Sequence, residues 1–170
     1  MYNKPSKRIL IIGGSGLIGS SLTKNCQELG LNYKSTYYSN KINPNQERFD
    51  LNDISNIDDL VKKDDIVVFC SALANPNYVF VNQKQAYEFN VVKTINFIKK
   101  IKDRVHRLIF LSSVEVFDGQ KGNYNEKDSK NPLNFYGRTK HEVENFISSN
   151  MKNYTIIRTG WNTSMNFKYR

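Results

Sequence analysis

Tyr136 and Lys140 stand four residues apart in a stretch whose apolar spacing predicts a helix, so both side chains project from one face. An ammonium near a phenol favours phenolate and lowers the phenol's pKa. That would make Tyr136 a usable general acid/base near neutral pH. Tyr37 and Lys41 show the same spacing in a turn, where it carries no catalytic meaning. Context separates the two pairs: Ser112-Ser113 close a predicted strand, and Ser113 could hydrogen-bond a carbonyl or carbinol oxygen beside Tyr136.

A second set of residues is suited to phosphate. Ile9 to Ile12 form an unbroken apolar run, Gly13, Gly16 and Gly19 follow at three-residue spacing, and Leu17, Ile18 and Leu22 start a helical pattern. Strand, glycine turn and helix in that order place backbone N–H groups and a positive helix end beneath an anion. Gly13 permits the turn, Gly16 lets a pyrophosphate approach the backbone, and Gly19 lets the helix lie close to the sheet. Ser15, Leu17 and Ile18 lie within the same turn. This predicts a dinucleotide site, and Lys140 could then hydrogen-bond a nicotinamide ribose.

These residues need a sheet to hold them. Strands are predicted at Ile9–Ile12, Asn32–Tyr38, Glu47–Leu51, Ile66–Cys70, Arg107–Ser112 and Tyr154–Thr159. Helices are predicted after Gly16, over Ile54–Val61 and Gln83–Lys102, and from Asn134. Asn75-Pro76 reads as a loop, as does the polar stretch Asp118 to Asn131. The long helix would bury Tyr87, Val91, Ile95, Ile98 and Ile101; Val143, Phe146 and Ile147 would face inward from the last one. The alternation implies an α/β, doubly wound parallel sheet of the Rossmann type.

On such a sheet the second strand ends at the adenosine ribose, where a carboxylate binds the 2′-hydroxyl of NAD. Here the turn is Ser39-Asn40-Lys41, with donors and no acid, so NADP(H) is preferred and NAD(H) remains open. Asp50, before Leu51, either faces the adenine or is a turn residue. Ser71 and Ala72 are small residues where backbone passes a cofactor. Asn90 interrupts an apolar face and is either a satisfied structural amide or an anchor for the site.

The net charge of +9 comes from lysines scattered among Asn and Ile rather than gathered in a stripe. A solvated surface is expected, with no nucleic-acid partner, though the field favours an anionic dinucleotide or sugar nucleotide. Cys26, Cys70, His106 and His141 show no metal-ligand spacing, and the cysteines read as free thiols. No apolar run approaches membrane-spanning length or resembles a signal peptide, so a cytoplasmic location is expected.

The chain resembles the extended short-chain dehydrogenase/reductase family over nearly its whole length. The resemblance rests on Gly13-Gly14-Ser15-Gly16-Leu17-Ile18-Gly19, Asp50-Leu51, Asn90, and Ser112-Ser113 followed by Val116-Phe117. Its most specific part is Asn131-Pro132-Leu133-Asn134-Phe135-Tyr136-Gly137-Arg138-Thr139-Lys140, with Glu144 beyond. Val116-Phe117-Asp118-Gly119 and Arg158-Thr159-Gly160-Trp161 look most like dTDP-4-dehydrorhamnose reductases. The resemblance implies NAD(P)H-dependent reduction of a nucleotide-linked 4-keto sugar, with Ser113, Tyr136 and Lys140 as the catalytic set and Asn90 in support.

Two departures keep alternatives open. Val114 follows Ser113 where those reductases, and sugar-nucleotide dehydratases, carry Asp; Glu115 sits at the dehydratase glutamate position without its partner. Family members also carry a long C-terminal segment that builds the sugar pocket, so residues 1–160 are expected to be the NAD(P)-binding domain and residues 161–170 the start of a truncated substrate-binding region. A sugar-nucleotide epimerase and a non-catalytic dinucleotide-binding or regulatory subunit are the other readings. The two long helices resemble a family dimer interface, so a homodimer is expected, with a monomer as the plain alternative.

Overall fold

Six parallel strands form one sheet in the order β3-β2-β1-β4-β5-β6. The computed structural model describes residues 7–160; Trp161 and the segment 161–170 lie outside the described residues. The strands are β1 (Ile9–Ile12), β2 (Tyr33–Tyr37), β3 (Gln46–Arg48), β4 (Ile66–Phe69), β5 (Arg107–Ser113) and β6 (Tyr154–Thr159). The helices are α1 (Leu17–Glu28), α2 (Ile57–Leu60), α3 (Pro76–Val81), α4 (Gln83–Tyr87), α5 (Thr94–Ile101) and α6 (Phe135–Asn150). The order reverses direction between β1 and β4, and a crevice opens above the strand ends at such a switch point.

The apolar strands are buried because both faces are covered. Leu10, Ile12, Val67, Phe69, Leu108 and Phe110 pack against Phe97, Ile98, Ile101, Val143 and Ile147 of α5 and α6. On the other face Ile11 and Val68 meet Cys26 of α1. Both cysteines are free. Among the described residues no helix is long and apolar enough to cross a membrane.

Four expectations change. Asn75-Pro76 does not mark a plain loop: the Asn75 side chain caps α3 by accepting the Tyr78 N–H at 2.9 Å, and Pro76 opens the helix. The third strand stops at Arg48, where Phe49 and Leu51 turn into the core. The second helix is one turn, Ile57–Leu60, rather than Ile54–Val61. The long helix is interrupted by a π-helical turn, Glu88–Lys93, between α4 and α5.

That π turn inserts a residue into the helical phase. The buried positions are therefore Ala86 before it and Asn90 and Val91 within it, and Tyr87 is left exposed with its hydroxyl donating to Glu142 at 2.7 Å. Thr94 Oγ1 takes the Phe89 carbonyl, five residues back, at 3.1 Å. After the turn, Ile98 and Ile101 are buried as expected, whereas Ile95 is only partly so.

Candidate active site

The turn after β1 is shaped by glycine at specific points. Gly13 adopts φ 82°, a left-handed conformation that side chains disfavour, and donates its N–H to Thr36 Oγ1 at 3.0 Å. A Cβ on Gly19 would stand 2.1 Å from the Gly13 carbonyl oxygen, so α1 meets the turn at full backbone contact. Gly16 is the N-cap of α1, with no side-chain cap and no acid in the first turn. The free N–H groups and positive end of a twelve-residue helix therefore face the crevice without internal compensation. These residues fit a pyrophosphate.

Two connected lobes of a groove run from this turn. One, of about 420 Å³, lies over β2 and β3 and is lined by Gly13, Ser15, Tyr37, Tyr38, Asp50, Leu51, Ser71 and Ala72, among others. The other, of about 360 Å³, lies over β5 and α6 and is lined by Leu17, Ile18, Gly19, Ser113, Val114, Glu115, Tyr136 and Lys140, among others. Gly16, Cys70 and Ala72 border both.

Ser113, Tyr136 and Lys140 meet in the second lobe. Asn134 starts α6 by accepting the Gly137 N–H at 2.7 Å, and its amide nitrogen donates to Glu115 Oε2 at 2.7 Å. Gly137 lets α6 press on the short turn Val114–Val116: a Cβ there would lie 2.1 Å from the Glu115 carbonyl oxygen. Ser113 Oγ accepts the Glu115 N–H at 3.1 Å, so it caps that turn while its own proton stays available.

Lys140 is buried at 4 % exposure and donates to the Leu111 carbonyl at 2.9 Å. Its nitrogen lies 4.7 Å from the Phe110 ring centroid and 5.7 Å from that of Tyr136. Burial pulls the ammonium down to about 8, with Glu144 opposing that shift. The expected lowering of the Tyr136 phenol is not what the structure shows. Burial, then the Glu115 carboxylate, pushes Tyr136 up to about 12, because both disfavour a second anion in this lobe.

Asn90 is a brace rather than a lining residue. Its Oδ1 accepts the Leu73 N–H at 2.8 Å and its Nδ2 donates to the Leu73 carbonyl at 2.9 Å, fixing the strand of backbone that follows β4. Ser39, Asn40 and Lys41 are exposed just past Tyr38 and lie outside the residues lining the groove. Asp50 does line it, and its Oδ1 accepts the Asn52 N–H at 2.8 Å.

Several residues at the site have no motif that marks them in the sequence. Tyr37, Tyr38, Phe49 and Phe89 line the first lobe, and Pro76 and Thr159 the second. Ser112 borders the second lobe, but its hydroxyl is spent behind it: it donates to the buried Glu144 at 2.5 Å, and Arg158 grips the same carboxylate. The charges of Glu144 and Arg158, one on a predicted helix and one in a predicted strand, were the available signal.

Comparison with known proteins finds relatives of the same fold. The family model described as RmlD substrate binding domain matches residues 7–167. Methionine adenosyltransferase 2 subunit beta of Xenopus tropicalis is 32 % identical over 156 residues, covering 91 % of this chain and 46 % of that protein. The crystal structure of a hypothetical dTDP-4-dehydrorhamnose reductase from Sulfolobus tokodaii is 30 % identical, covers 90 % of this chain and 55 % of that one, and superposes with a TM-score of 0.77. MoeE5, solved with UDP-glucuronic acid and NAD, is 25 % identical over 84 % of this chain and 48 % of its own, with a TM-score of 0.76. The chain thus spans about half the length of the relatives it matches. It belongs to the RmlD substrate binding domain family, among the extended short-chain dehydrogenase/reductase proteins.

Proposed function

We propose that residues 1–160 form the dinucleotide-binding and proton-donating part of an NADP(H)-preferring reductase of a nucleotide-linked 4-keto sugar. The observation that carries this reading is that Ser113, Tyr136 and Lys140 line one lobe of a groove whose two lobes join at the uncapped N-terminus of α1. The bound dinucleotide would supply the hydride. Tyr136 would give its proton to the keto oxygen, and Ser113 would donate a second hydrogen bond to that oxygen. Lys140 uses one N–H on Leu111, leaving two for ribose hydroxyls.

The state of Tyr136 is compatible with its role as a proton donor. A phenol held at about 12 is fully protonated at neutral pH, which is the form a proton donor needs. An alkoxide forming on the sugar is the stronger base and still takes the proton. The test is NADPH consumption by the purified protein with a dTDP-4-keto-6-deoxy sugar. Turnover that Tyr136→Phe abolishes supports the reading; turnover that survives Tyr136→Phe overturns it.

A second reading, a dinucleotide-binding subunit without turnover, draws on the relative named as a subunit and on Val114 in place of an acid. It predicts NADPH binding with no reduction of any 4-keto sugar nucleotide. A homodimer through α4–α5 and α6 belongs to either reading, since Phe80 and Val81 beside them are 75 % and 77 % exposed. Light scattering over a concentration range tests it, and a strict monomer would refute it.

A further inference from the structure

The open end of the first lobe carries two cations that the groove lining does not include. Lys41 Nζ lies 6.0 Å from the centroid of the Tyr37 ring, and the Arg48 guanidinium carbon lies 5.9 Å from that of Tyr38. Both tyrosines line the lobe. Arg48 comes from β3, where it is the register partner of Tyr37 on β2, so the two cations reach the tyrosine pair from separate segments.

Neither cation is neutralised. Among the described residues neither Lys41 nor Arg48 is in an ion pair, and the acids nearest in sequence are engaged elsewhere. Glu47 pairs with Lys34 at 3.0 Å, and Asp50 accepts from Asn52. The intervening loop is also held. Buried Gln46 accepts the N–H groups of Ile42 and Asn43 at 2.8 and 3.3 Å, and Asn43 donates to Gln27 of α1 at 2.8 Å. The loop that carries Lys41 is therefore fixed before any ligand arrives, and less ordering cost falls on binding.

We infer that Arg48, with Lys41 beside it, is the residue that recognises a phosphate on the adenosine ribose and so sets the choice of dinucleotide. The inference deepens the dinucleotide reading above and rests on it. A guanidinium lying on an aromatic ring keeps its edge free for the paired hydrogen bonds that a phosphate accepts. A ribose hydroxyl offers one weak acceptor and no charge, so Arg48 contributes to one dinucleotide and not to the other.

The experiment is a fluorescence titration of the purified protein with NADPH and with NADH, for the wild type, Arg48→Ala, Arg48→Lys and Lys41→Ala. Arg48 is exposed, so the variants should fold, and circular dichroism checks this. Arg48→Ala should weaken NADPH roughly tenfold or more and leave NADH within about twofold. Arg48→Lys should lie between, because a point charge replaces the fork. Adenosine 2′,5′-bisphosphate should displace NADPH better than 5′-AMP in the wild type and lose that advantage in Arg48→Ala.

Equal loss of both dinucleotides, no loss of either, or a preference removed only by Lys41→Ala overturns the assignment to Arg48. Good NADH binding with no NADPH preference overturns this inference alone. Failure of the wild type to bind either dinucleotide overturns the dinucleotide reading together with it.

Discussion

Arg158 holds Glu144 through two parallel hydrogen bonds, Nε to Oε1 at 3.0 Å and Nη2 to Oε2 at 2.8 Å. The pair ties β6 to α6, one helical turn beyond Lys140. Ser112 adds a third hydrogen bond from β5, and Lys130 approaches at 3.5 Å. Glu144 is fully buried, so the carboxylate's hydration is replaced entirely by these partners. The second lobe is thus held together from behind by a satisfied ionic cluster.

Removing the charge from that cluster should be costly. Burial alone would raise the Glu144 carboxyl, yet the Arg158 and Ser112 hydrogen bonds prevail and hold it below its usual 4.5. A lowered carboxyl pKa gives stability that is present above 4.5 and lost as pH falls through the folded value. Glu144→Gln should cost about 3–5 kcal/mol near neutral pH, because Arg158 keeps a largely buried, unpaired charge. Urea unfolding at a series of pH values measures this. The gap to wild type should shrink on acidification, and a gap independent of pH would contradict the account.

Gly137 is the position where a single methyl group should do most damage to the site. Alanine would gain about 1 kcal/mol of helix propensity over glycine. Its Cβ, however, would sit 2.1 Å from the Glu115 carbonyl oxygen, and relieving that overlap means moving α6 or the Val114–Val116 turn. Overpacking of this kind costs about 1–3 kcal/mol, so the clash outweighs the propensity. The movement also displaces Tyr136 from Ser113, and misplacement by about 1 Å can forfeit roughly a hundredfold in rate. Gly137→Ala should therefore lose far more kcat than stability. Unchanged kcat would show that α6 has slack the geometry does not suggest.

How much of this was legible depended on whether a residue's role was local. Gly13 and Gly19 act on backbone a few residues away, so spacing alone conveyed them. The β1 and β6 boundaries were also plain, since β-branched runs between polar turns admit little else. Asn75-Pro76 is ambiguous in sequence, because the same pair begins a loop or caps a helix, and only the packing of α3 decides. An uninterrupted 3.6-residue period puts Tyr87 on the buried face; the π turn around Asn90 shifts the phase. Arg48 was invisible for another reason. Its relation to Tyr38 exists only once β3 pairs with β2, and a lone arginine in a short strand carries no signal of that.

Lys140 should give the protein a rise in stability through mildly alkaline pH. The unfolded chain holds a lysine proton to about 10.4. The folded chain gives it up near 8, because the ammonium is buried. Between those values the unfolded state binds more protons, so unfolding becomes harder as pH rises; below 8 the penalty is present in full. The whole effect is up to about 3 kcal/mol. Denaturant unfolding of wild type and Lys140→Met should show the wild type gaining on the variant from pH 8 to 10. A constant difference over that range would mean that Lys140 stays charged in the fold.

Tyr136 should remain a neutral phenol well beyond the pH at which a free tyrosine ionises. Its shift to about 12 comes first from burial and then from Glu115, whose carboxylate is held in place by Asn134. A raised tyrosine pKa contributes stability that is complete below 10 and is lost as pH climbs through the folded value. The difference in near-ultraviolet phenolate absorbance between wild type and Tyr136→Phe isolates this group. That difference should stay flat through pH 10. In Glu115→Gln the ionisation should move down, since one of its two causes is gone, while burial keeps it above the ordinary value. The same variant should make reduction more pH-sensitive, because the donor then begins to lose its proton earlier. Ionisation of Tyr136 at or below pH 10 in the wild type would refute the assignment of a protonated donor.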